Sequence, residues 1–155
     1  MTQALFYLLP DNGPADEAMA ARDRLACQLA EQHFRQGQWV YIHCRDEAQS
    51  FAIDELLWQF EPDAFVPHNL KGEGPQGGAP VEIGADRLGP GKHRGVLINL
   101  AEKIPAFAVN FGHIIDFVAG DEATKALARA RYKAYRDLGI ALSTQDLATQ
   151  PLNLV

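Results

Sequence analysis

Ala4-Leu5-Phe6-Tyr7-Leu8-Leu9 is a continuous apolar run ended by Pro10-Asp11-Asn12-Gly13. A run of that length closed by a turn signal reads as a buried strand followed by a turn. Strands without polar alternation belong to parallel sheets whose two faces are covered by helices. The next segment supplies such a cover. Between residues 16 and 36, Met19, Ala26, Leu29, Ala30 and His33 or Phe34 recur at three- and four-residue steps, and Gly37 is the natural stop. Residues 39–43 form another short apolar strand, and Asp46 is placed to cap a helix whose Phe51, Leu56, Leu57 and Phe60 face inward. Pro62 lies just beyond that helix.

Further along, residues 81–83, 96–100 and 113–118 read as strands, 105–111 as a short helix, and the chain from Asp121 or Glu122 to Gly139 as a long last helix. Strands alternating with helices predict one α/β domain over 1–142, with a mainly parallel central sheet and helices on both faces. Residues 143–155 read as a C-terminal tail.

Composition narrows the function. At 155 residues the chain has the size of one domain, with 47% hydrophobic and 22% charged residues, an ordinary globular balance. No apolar run approaches the roughly 20 residues that span a bilayer. The first apolar run lacks a basic leader and is too short for a signal peptide, so a cytoplasmic protein is expected. Cys27 and Cys44 match neither a zinc ribbon nor a redox pair and read as reduced thiols. A net charge of −6 argues against a protein that coats nucleic acid.

Two apparent chemical motifs do not survive their context. Gly72-Glu73-Gly74-Pro75-Gln76-Gly77 matches G-x-G-x-x-G, but Gly78-Ala79-Pro80 leads into a strand, leaving no helix N-terminus to receive a pyrophosphate. His33, His43, His68, His93 and His113 are scattered and form no i, i+4 ligand pair. His43 and Cys44 are neighbours on a strand, so their side chains point to opposite faces. No cofactor, metal or catalytic residue is expected.

The last helix is the informative feature. Lys125, Arg129, Arg131, Lys133 and Arg136 follow one another with no acid between them. On a helical wheel Lys125, Arg129, Tyr132, Lys133 and Arg136 fall within about 100° of arc. Leu127, Ala130, Ala134 and Leu138 fall opposite, as a small apolar face to pack on the sheet. A cationic face with a tyrosine suits an anionic peptide, whose carboxylates an arginine fork engages, or a single strand of nucleic acid, whose bases stack on an aromatic ring. A second candidate surface is aromatic. Leu57 and Phe60 are expected in the core, and Trp58 and Phe65 at a partner interface.

The most specific segments are Phe65-Val66-Pro67-His68-Asn69-Leu70 with Gly72-Glu73-Gly74-Pro75, then Gly77-Gly78-Ala79-Pro80-Val81-Glu82-Ile83, and Ala128-Arg129-Ala130-Arg131-Tyr132-Lys133-Ala134-Tyr135-Arg136. On these the chain resembles the chi subunit family of bacterial DNA polymerase III, from Phe6 to about Leu142. The resemblance implies a nucleotide-binding-like fold without a nucleotide site, in an accessory subunit without an active site. It implies two partners: the psi subunit, which links chi to the clamp loader, and the acidic C-terminal tail of single-stranded DNA-binding protein. Contact with DNA would be mainly indirect. Carried over by residue, the tail site comprises Val118, Lys125, Arg129, Tyr132 and Lys133, with Arg129 on a carboxylate and a tail phenylalanine beside Val118. The psi surface comprises Trp58 and Phe65, and a helicase partner is expected to compete there. The alternative is a single-stranded nucleic-acid binder using the same basic helix. A nucleotide-dependent enzyme would need a phosphate site that the sequence does not contain.

Overall fold

The computed structural model describes residues 1–10 and 14–152. The expected turn at Pro10-Asp11-Asn12-Gly13 lies largely outside the described residues, as does the end of the chain. The elements follow in the order β1 (Gln3–Leu8), α1 (Ala15–Arg35), β2 (Val40–His43), α2 (Glu47–Gln59), β3 (His68–Leu70), β4 (Val81–Gly84) and β5 (Val96–Asn99). A 3-10 turn (Ala108–Asn110), β6 (His113–Val118), α3 (Glu122–Asp137) and β7 (Ala141–Asp146) complete the chain. The strands form one seven-stranded sheet in the order β3-β4-β2-β5-β6-β1-β7, and every pairing is parallel.

Alternation along each strand divides the core into two. Val40, Ile42, Val96, Ile98, Ile115 and Phe117 face one side, where Leu25 and Leu29 of α1 and Ile53 and Leu57 of α2 cover them. Ala4, Phe6, Tyr41, Leu97 and Ile114 face the other, against Tyr135 of α3 and the 3-10 segment with Phe107 and Phe111. The α/β fold read from the alternating pattern is therefore the observed one.

Helix ends follow local chemistry. The Asp46 carboxylate accepts the Gln49 backbone N–H at 2.8 Å, and the Asp121 carboxylate accepts that of Thr124 at 2.9 Å. Both satisfy donors that a helix leaves unpaired in its first turn. Gly139, at φ +78°, turns the chain out of α3 in a conformation that a side chain would strain.

Three expectations are corrected. Residues 143–146 are not a tail: they complete β7, with Leu5 opposite Ser143 and Leu8 opposite Asp146. Ser143-Thr144-Gln145-Asp146 carries no apolar pattern because an edge strand exposed on both faces needs none. Phe51 does not face inward and is 56% exposed. The buried line of α2 instead runs through Gln49, Ser50, Ile53 and Leu57, and Phe60 continues it. Finally, the short helix expected at 105–111 reduces to one 3-10 turn, with Phe107, Ala108 and Phe111 buried.

Candidate functional site

A carboxylate in an apolar strand sets the orientation of α3. Asp116 lies in the middle of β6 and is fully buried. Arg131 Nε donates to both of its oxygens, at 3.1 and 3.2 Å. The Tyr135 hydroxyl donates at 2.8 Å, Asn99 Nδ2 at 3.1 Å and the Phe117 backbone N–H at 2.7 Å. The Arg131 fork is completed by the carbonyls of Glu102 and Phe117, each at 3.1 Å. Burial pushes the Asp116 carboxyl up, and the Arg131 guanidinium and these hydrogen bonds pull it back. Burial, and next the adjacent carboxylate, hold the Tyr135 phenol well above its usual range.

This network overturns the expected packing of the helix. The buried residues of α3 are Ala128, Arg131 and Tyr135. Leu127 and Leu138, expected against the sheet, are 38% and 52% exposed. Arg131, one of the five cations of the basic stretch, turns inward and so rotates the apolar side of the wheel toward solvent. The missed signal was Asp116 itself: a carboxylate inside His113-Ile114-Ile115-Asp116-Phe117-Val118 demands a buried partner.

The remaining basic residues keep an outward face. Arg129 and Lys133 are exposed, and Lys125 and Tyr132 half-buried. Tyr132 packs its ring 5.3 Å from that of Phe6, and both Tyr132 and Val118 border the smaller core cluster. So one margin of the sheet gathers the apolar edge and the cations expected of the first surface. No acid lies between the cations in sequence, but acids at the two ends of the helix reach them. Arg129 lies 3.8 Å from Glu122, and Lys133 2.9 Å from Asp137. Such exposed pairs contribute about 0–1 kcal/mol each and yield readily to a competing carboxylate.

The aromatic surface stands on α2 and the chain entering β3. Trp58 and Phe65 are 59% and 68% exposed, with ring centroids 6.5 Å apart. His68 supports the Trp58 ring at 4.6 Å and is itself held by the carbonyls of Val66 and Asp54 at 2.6 and 3.2 Å. Leu57 and Phe60 are buried as expected. From β3 to β1 is five strand spacings, about 24 Å, so the two surfaces occupy different ends of the sheet.

The glycine loop is a structural device. Arg94, itself buried, donates from Nη1 to the carbonyls of Val40, Ala79 and Pro80 at 3.1, 2.8 and 2.9 Å. Its Nη2 donates to the Gly77 carbonyl at 3.0 Å and reaches the Glu82 carboxylate at 3.5 Å. Gly78 has φ +81°, and a Cβ there would run into that carboxylate. The guanidinium thus fixes the loop from inside, where a fingerprint loop would present N–H groups to phosphate.

Apart from the paired charges of Asp116 with Arg131 and Glu82 with Arg94, burial favours the neutral forms of the two core thiols and of His43. Burial pushes the thiols of Cys27 and Cys44 up to about 12, away from the nucleophilic thiolate. Burial lowers His43 to about 4. Among the described residues no three His, Cys, Asp or Glu side chains gather to hold a metal, and no helix is long and apolar enough to cross a membrane.

Residues 1–143 match the family model described as DNA polymerase III chi subunit, HolC. DNA polymerase III subunit chi of Escherichia coli is 44% identical over 144 residues, 93% of this chain and 97% of that one. The protein of the same name from Pseudomonas aeruginosa is 40% identical over 147 residues, 95% and 98% of the two chains. That from Haemophilus influenzae is 44% identical over 147 residues, 93% and 96%. Among solved structures, T4 UvsW superposes with a TM-score of 0.63 at 12% identity, over 99% of this chain but only 42% of that one. That likeness concerns the fold alone.

Proposed function

Because the chain belongs to the DNA polymerase III chi subunit family, a group of replication accessory subunits, we propose that it bridges single-stranded DNA-binding protein to the clamp loader in the cytoplasm. In this reading the acidic C-terminal tail of single-stranded DNA-binding protein lies on α3. Arg129 engages a carboxylate, Lys125 and Lys133 flank it, and an apolar tail residue packs by Val118 and Tyr132. Trp58 and Phe65 hold the psi subunit, or a helicase that competes for the same place. The chain performs no chemistry of its own.

The observation that carries this reading is the separation of two unlike surfaces, one cationic and one aromatic, by about five strand spacings of a rigid sheet. A bridge needs both ends accessible at once, and neither α3 nor α2 shields the other. The mechanism is positional. Exposed cations raise the encounter rate with an acidic tail and discriminate against basic partners, and the modest pair energies keep the contact exchangeable.

The test is fluorescence anisotropy of a labelled tail peptide, with single-stranded DNA as competitor. Saturable binding that DNA barely displaces supports the bridge, and binding of DNA in place of the peptide assigns the basic face to phosphates. Phe65→Ala should impair psi association while leaving peptide affinity unchanged. Loss of both together would show general destabilisation in place of two independent sites.

A further inference from the structure

The solvent face of α2 carries a second large aromatic besides Trp58. Phe51 and Trp58 are seven residues apart, so they lie within about 20° of one another around the helix and about 10.5 Å apart along it. Phe65 continues the row beyond Trp58. On the neighbouring strand, the His68 ring lies tilted against Trp58, and Leu70 shares with Phe51 the wall of an open cavity of about 510 Å³. Three exposed large aromatics in one row are the mark of a protein interface more than of ordinary surface.

The charge around the cavity states what kind of partner fits. Asp46, Glu47, Glu73 and Asp86 line it together with Lys71. Lys71 is engaged by Asp86 at 2.8 Å, and Asp46 by Arg45 and the Gln49 N–H. Glu47 and Glu73 make no ion pair with any described residue. The cavity is therefore anionic at its rim and apolar at Phe51 and Leu70.

We propose that this cavity is a second anchor point for the protein held at Trp58 and Phe65, and that it receives a lysine or arginine from an apolar, cationic stretch of that protein. The proposal rests on the reading in which psi occupies the aromatic surface. The aliphatic stem of the incoming side chain lies on Phe51 and Leu70, and its head reaches Glu47 and Glu73. A guanidinium over the Phe51 ring gains a cation–π contact as well. The same rim repels an acidic tail or a nucleic-acid strand, so the two ends of the sheet select partners of opposite charge.

The test is calorimetric titration of full-length psi into the full chain at low and high salt. Phe51→Ala should weaken binding about tenfold. The charge-reversed pair Glu47→Lys with Glu73→Lys should weaken it by a similar factor and flatten its salt dependence. Melting temperatures of all variants should stay within a few degrees of the parent: the side chains are exposed, and the one further cost, a lysine in the first turn of α2, is at most about 1 kcal/mol. If psi binds the parent chain, Trp58→Ala weakens it, and both cavity variants bind like the parent, the second anchor is overturned and the psi reading stands. If the parent chain does not bind psi, both fall. A dimer of the free chain that Phe51→Ala dissociates would give this cavity to a second copy and overturn the proposal.

Discussion

Arg131 Nε sits 3.1 Å from Asp116 Oδ1, with the two side chains 8% and 0% exposed. This one ion pair joins the helix that carries the cationic surface to the strand beneath it. Removing one partner leaves a buried charge without its counterion, which costs about 3–5 kcal/mol. Arg131→Ala should therefore lower the denaturant midpoint sharply. Asp116→Asn should do the same, because Arg131 then stays buried opposite a neutral amide. Chemical denaturation followed by circular dichroism measures both.

Arg129 should behave oppositely, though it lies only two residues away on the same helix. Its side chain is 66% exposed and meets Glu122 only at 3.8 Å. Arg129→Ala should leave stability within about 0.5 kcal/mol of the parent, as surface substitutions do. Tail-peptide affinity should fall roughly tenfold, with a shallower salt dependence. Unchanged affinity would remove Arg129 from the site.

His43 predicts an acid-side loss of stability. It packs 5.3 Å from the Phe107 ring, and burial lowers it from 6.5 to about 4. The unfolded chain takes up this proton near pH 6.5 and the folded chain only near pH 4, so acidification between those values favours unfolding. Above pH 6.5 both states are neutral, and below pH 4 both are protonated. The loss across the window is about 3 kcal/mol. His43→Leu should flatten the stability profile between pH 6.5 and 4, measured by urea unfolding at each pH.

Ending the chain after Leu142 tests the edge strand. It removes Ser143–Asp146 from the pairing with β1 and exposes the β1 edge. Stability should fall by several kcal/mol, and the truncated chain should associate through its new edge, seen by sedimentation velocity. A truncated chain as stable and as monodisperse as the parent would show that residues from 143 onward are dispensable.

Much of the architecture was legible because it rests on local signals. The apolar run at residues 4–9, the caps Asp46 and Asp121, and the stops Gly37 and Gly139 each act through their own neighbours, and each appears where its residue type places it. Trp58 and Phe65 were also legible as exposed aromatics, since the adjacent core was already filled by Leu57 and Phe60. What failed were the readings that needed a partner distant in sequence. A helical wheel gives angles between side chains but no origin, so it ordered the cations of α3 correctly and chose the wrong side to bury.

The sequence by itself determined the alternation of strands and helices and the parallel sheet, because propensity, capping and apolar runs are properties of adjacent residues, and its motif segments carried the resemblance to the family. Tertiary structure alone decided which face of α3 turns outward, that Phe51 stands in the open, and that Ser143–Asp146 is sheet. Each of those depends on a group far away along the chain: Asp116 on β6 for Arg131, the line from Gln49 to Phe60 against the sheet for Phe51, and the open edge of β1 for β7. Turning Arg131 and Tyr135 outward would strand the buried Asp116 carboxylate, at about 3–5 kcal/mol, and expose a fully buried ring as well, together more than the partial exposure of Leu127 and Leu138 costs. That inequality rotates the helix, and it exists only once β6 and α3 are packed together.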